Sequence, residues 1–168
     1  MNLHIGVRAM SKSERPWFVT YTDEANGFSI DYPQGWGIEH PSRPPEVKVA
    51  IWKRESDGNP LGILVAKYKA SGWSLLRFKS LKWLLLGRPK DYVPISTEKL
   101  NINGVPATKH AYTSTVISAV THDCYIRIKV YLVKNKTGWI LAFDCPQKSL
   151  DSYESIFGTA INSFRLFK

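Results

Sequence analysis

GFSIDYPQGW, residues 27–36, alternates apolar and polar side chains through Phe28, Ser29, Ile30, Asp31 and Tyr32, then breaks at Pro33 and Gly35. A period of two is the signature of a strand with one buried face, and proline followed by glycine ends it. Just upstream, WFVTY (17–21) has the same character. The intervening DEANG, in which Asn26 and Gly27 tolerate positive φ, predicts a hairpin.

Outward from this hairpin the chain repeats the theme. A proline-rich loop, EHPSRPP (39–45), leads to predicted strands at 47–53 and 61–69 around the turn DGNP (57–60). ISTEKLNI (95–102) and PATKHAYTST (106–115) bracket Asn103-Gly104, a strong turn signal. A long strand from about Val116 to Lys134 is expected to meet WILAFDC (139–145) through Asn135–Gly138. Two segments read as helices. SLLRFKSLKWLLL (74–86) has Ser74 as a candidate N-cap and Gly87 with Pro89 as a stop. In the second, capped near Ser149 or Asp151, Tyr153, Ile156, Phe157, Ala160, Ile161 and Phe164 form one apolar stripe at helical spacing. Strands joined by short turns predict an α+β fold, a largely antiparallel sheet sandwiched between helices.

The 168 residues suit a single domain, 17–168, preceded by a flexible arm, 1–16, that is mixed and aperiodic. Hydrophobic content of 43% with 22% charged residues excludes a disordered or fibrous chain. MNLHIGVRAM lacks the apolar run of a secretory signal, so the chain reads as soluble and cytoplasmic.

The +9 net charge is uneven: −1 over residues 1–50, +6 over 51–100 and +4 over 101–168. The excess concentrates in RFKSLKWLLLGRPK, where Arg77, Lys79, Lys82, Arg88 and Lys90 occur with no acid among them and Trp83 lies between. Leu75, Phe78, Leu81 and Leu85 make one helical face, whereas Leu76, Trp83 and Leu84 fall outside it. The surplus suggests a surface for an acidic protein or, alternatively, an anionic membrane into which leucine and tryptophan dip while lysines snorkel. An ordinary surface helix, its lysine stems coating the core edge, is the plainer account of the charges, since charge runs are usually solvated. Nucleic acid ranks below both, because no recognition motif accompanies the basic run.

Chemistry is harder to find. His122-Asp123-Cys124 is the one place where imidazole, carboxylate and thiol crowd together, but on a strand His122 and Cys124 continue the apolar row Ile126, Ile128, Val130 and Leu132. Nothing supplies further metal ligands, and no nucleophile elbow, phosphate loop or dinucleotide fingerprint occurs. No catalytic residue, cofactor, metal or small-molecule ligand is therefore expected. Pairing Val130 with Phe143 and Leu132 with Leu141 leaves Cys124 and Cys145 four residues out of step, so no disulfide is predicted.

Three segments in order resemble the PsbP family, named for an extrinsic photosystem II subunit. They are Gly27-Phe28-Ser29-Ile30 with Tyr32, Pro33 and Trp36; Ile102-Asn103-Gly104-Val105-Pro106-Ala107; and Ile161-Asn162-Ser163-Phe164. The resemblance spans about residues 17–167. It implies an antiparallel sheet between helices, a fold shared with a nuclear-transport factor that binds Ran and with bacterial lipoproteins, proteins that mostly bind or assemble others. It also implies that Tyr32 to Trp36 is scaffold. The expectation is thus a non-catalytic interaction or assembly module.

Overall fold

The computed structural model describes residues 17–55, 58, 60–85, 89, 91–117 and 122–167, with the side chains of 83–85, 116, 117 and 122 outside that description; the predicted arm 1–16 also lies outside. The first hairpin joins β1 (Phe18–Asp23) to β2 (Phe28–Pro33), and β10 (Arg165–Leu166) adds to β2 as a third strand. Of the two expected turn residues, Gly27 takes the positive φ, 79°. Asn26 serves the turn through its side chain, donating to Asp23 Oδ2 while its own N–H bonds Asp23 Oδ1.

The larger sheet has seven strands in the order β3 (Gly37–Glu39), β4 (Val47–Arg54), β5 (Pro60–Lys69), β9 (Thr137–Pro146), β8 (His122–Lys134), β7 (Val105–Ile117) and β6 (Val93–Ile102). Every neighbouring pair is antiparallel. The short edge strand β3 lies within a stretch too brief for periodicity to reveal. Val116 and Ile117, expected to open β8, close β7 instead, paired with Asp123 and His122.

Helix α2 (Leu150–Ser163) buries the predicted stripe: Ile156, Phe157, Ala160 and Ile161 face the sheet, and Phe164 follows them inward. With Phe28 and Ile30 of the small sheet they seal one face of the large sheet, against Ile51, Ile63, Leu141 and Phe143. Trp36 is buried in this core, edge-on to Tyr153, so the opening stretch is scaffold. Ser149 precedes α2 but makes no side-chain cap; its hydroxyl donates to Glu55 Oε2 at 2.9 Å.

Helix α1 (Leu75–Leu85) covers part of the opposite face. Ser74 caps it by accepting from the Arg77 N–H at 3.2 Å. Phe78 is fully buried among Ala66, Ala70, Tyr131 and Ile140.

The β8–β9 register corrects the expected one. Val130 opposes Leu141 and Ile128 opposes Phe143, a shift of two residues. The turn is two residues long, Asn135 and Lys136, with φ of 50° and 61°. Gly138, the apparent turn glycine, sits in β9 because Phe78 lies against it. Cys145 opposes Ile126, so Cys124 remains out of step, and both thiols are free, Cys124 exposed and Cys145 buried.

Candidate functional site: the cationic face around helix α1

Residues four apart share a helical face, so Lys82 lies on the same side as the buried Phe78. Its ammonium rests 3.6 Å from the centroid of the Tyr68 ring, and burial holds it below the usual lysine range, opposed by Glu46. The stem covers apolar surface while the charge meets an aromatic face. Arg77 points away from the sheet, exposed, with its guanidinium 5.9 Å from the Trp73 ring. Beside it Leu76 is 73% exposed. Lys79 sits half-buried on the flank, where its charge acts on His110.

Of the six residues predicted for partner binding, Arg77, Lys79 and Lys82 are thus on α1, and Lys82 turns inward while Arg77 faces out. Trp83 belongs to α1, but its side chain lies outside the described residues, as do Arg88 and Lys90.

The sheet under and beside α1 carries a polar cluster that strand alternation assembles. One transverse row runs Trp52, Gly62, Asp144, Arg127, Tyr112; the next runs Leu64, Ala142, Lys129, His110, Thr97. Burial raises the Asp144 carboxyl against the opposing pull of Arg127 and Lys129, and burial lowers Lys129 against the pull of Asp144. Tyr112, 1% exposed, is pushed up to about 12, chiefly by burial and against the Arg127 charge. The His110 ring bonds Tyr92 OH at 3.0 Å and Thr97 Oγ1 at 2.8 Å, and burial with the Lys79 charge lowers its basicity.

This face therefore brings Arg127 and Lys129 near the basic helix, with Asp144 and Glu46 among the few acids acting on it. Desolvation favours the neutral forms of Tyr112 and Lys129, and the His110 imidazole is engaged by the hydroxyls of Tyr92 and Thr97. Sequence reading missed Arg127, Lys129, Asp144, Tyr112 and His110. Their signal was polar side chains on alternate positions of otherwise apolar strands, which looks the same as a solvated face. His122 lies outside the described side chains, and among the described residues no group of His, Cys, Asp and Glu is placed to hold a metal. No described helix is long and apolar enough to cross a membrane.

No family profile and no curated protein sequence matches the chain. Solved structures do. The solution structure of cyanobacterial PsbP from Synechocystis sp. PCC 6803 superposes with a TM-score of 0.65 at 16% identity, covering 96% of this chain and 99% of that one. LpqN of Mycobacterium tuberculosis, involved in cell envelope biogenesis, gives 0.60 at 11% identity over 90% of this chain and 91% of its own. A Pseudomonas aeruginosa protein of unknown function gives 0.56 at 11% identity over 87% and 94%. At such identities the likeness is one of fold, and it bears out the expected α+β architecture: this chain has the PsbP-like fold.

Proposed function

We propose that this chain is a non-catalytic interaction or assembly module that engages an acidic protein surface through α1 and the adjoining basic residues. One observation carries the reading. On α1, the exposed Arg77 lies against the Trp73 ring with the exposed Leu76 beside it, so a cationic and an apolar group share the outer side of one helix. An acidic partner with apolar contacts would complement both. PsbP and LpqN lend support only as fold relatives, LpqN with a part in envelope biogenesis.

A pull-down from native lysate compares the wild type with Lys79→Glu/Lys82→Glu/Arg88→Glu. Loss of a salt-sensitive partner from the variant is the expected result; identical partner lists would remove this surface from the account. The exposed Leu76 next to Arg77 also favours a second reading, peripheral binding to anionic membrane. Sedimentation with phosphatidylserine or cardiolipin vesicles separates the two, and absence of binding at low salt ends the membrane reading.

A further inference from the structure

On the α2 side of the molecule, remote from the basic helix, a half-enclosed cleft of about 280 Å³ opens between the β6–β7 turn, the end of β8 and the C-terminal tail. Its floor is apolar, formed by the buried Ile102, Leu132 and Phe164 with Val105. Its cations are Lys134 and Arg165, and among the described residues no aspartate or glutamate lines it.

The walls are held by hydrogen bonds. The Asn103 side-chain Nδ2 donates to the Phe164 carbonyl at 2.7 Å. On the other side Arg165 and Leu166 pair with Ser29 and Phe28, and the Phe167 N–H donates to the Gly27 carbonyl at 3.1 Å. A cleft framed this way is preformed, which lowers the cost of binding. Its two cations are only lightly engaged. The Lys134 ammonium, with three donors, reaches the Leu166 carbonyl at 3.3 Å, and the Arg165 guanidinium reaches Asn103 Oδ1 at 3.4 Å, both long for hydrogen bonds.

An anion without an apolar body would leave Leu166 and the exposed Phe167 wetted, and an apolar molecule without charge would leave the cations unanswered. The volume lies just below the range of roughly 300–1,000 Å³ that takes drug-sized ligands, so the occupant is small. We propose that this cleft binds a small amphipathic carboxylate, an aryl or medium-chain alkyl acid, with its hydrocarbon on Leu166 and Phe167 and its carboxylate between Lys134 and Arg165. The proposal is independent of the acidic-partner reading, which concerns the opposite face.

The test is an amide NMR titration of the isotope-labelled chain at constant ionic strength. The ligands are 3-phenylpropionate, 3-phenylpropan-1-ol, which keeps the body and lacks the charge, and acetate, which keeps the charge and lacks the body. Saturable shifts with phenylpropionate, confined to Asn103, Val105, Lys134 and residues 164–167, are expected, with both controls binding about tenfold more weakly or worse. Arg165 is exposed, so Arg165→Gln should retain the native spectrum and lose affinity several-fold. Absence of saturation, shifts elsewhere, equal binding of the alcohol, or an unaltered affinity in Arg165→Gln would each overturn the assignment.

Discussion

A methyl group at position 138 has no room: a Cβ there would stand 2.3 Å from Phe78 Cε2 and 2.5 Å from Cζ. Gly138 lies in the sheet between Tyr68 and Val133, so the clash is relieved only by moving the anchor of α1 or the strand beneath it. Gly138→Ala should destabilise the protein by about 1–3 kcal/mol, the range for overpacking. Denaturant unfolding checks this, and a second change, Phe78→Leu, should shrink the penalty because the two positions share one contact. Tyr112 makes a different single-residue prediction. Its folded pKa of about 12 lies above the unfolded value near 10, so between these pH values the unfolded chain releases a proton that the native one keeps. Stability therefore falls as pH rises through that window and is unaffected by this group below it, by a total on the order of 2 kcal/mol. Unfolding midpoints followed from neutral pH to pH 11.5 should run parallel for the wild type and Tyr112→Phe up to about pH 10, then diverge with the phenylalanine variant falling less. Neither residue announced itself in the sequence, since Gly138 resembled a turn glycine and Tyr112 an ordinary strand aromatic.

Elements were legible where periodicity and turn chemistry agreed. The α2 stripe and the Asn103-Gly104 hairpin, with φ of 49° and 83°, follow from local rules alone. The β8–β9 turn did not, because it places Lys136 in the left-handed region at φ 61°, where a side chain costs about 1 kcal/mol, while a glycine two residues later offered an easier alternative. Tertiary packing of Phe78 on Gly138 decides between the two, and no local pattern encodes it. The same comparison yields a prediction. Lys136 is exposed, and Lys136→Gly converts the turn to Asn-Gly, the preferred two-residue pair. The gain from relieving the left-handed lysine exceeds the added freedom of the unfolded chain, so stability should rise by about 0.5–1 kcal/mol with the fold unchanged. A four-residue turn over 135–138 would give no such gain, and thermal unfolding of the variant therefore tests the register as well as the turn.

At the scale of the whole molecule one sheet carries two interiors of unequal size. The α2 face joins both sheets and the helix in a continuous core, whereas the α1 face holds a small cluster centred on Phe78 and grades into the charged rows of Arg127, Asp144 and Lys129. The candidate binding element is therefore attached by the weaker interior, a separation that no single segment of sequence could express because the two clusters draw on alternate residues of the same strands. Removing each anchor should have different consequences. Phe157→Ala leaves a cavity in the large core, next to Phe143 at 5.2 Å between ring centroids, and should lower global stability by about 3–5 kcal/mol. Phe78→Ala removes the only fully buried side chain described on α1, so the helix should open locally before the rest of the domain unfolds. Native-state hydrogen exchange distinguishes the cases. In Phe78→Ala the amides of residues 78–85 should lose protection while those of Leu141 and Phe143 keep theirs; uniform loss across both sets would show that α1 and the sheet form one cooperative unit, and α1 could not then be treated as a separately attached docking element.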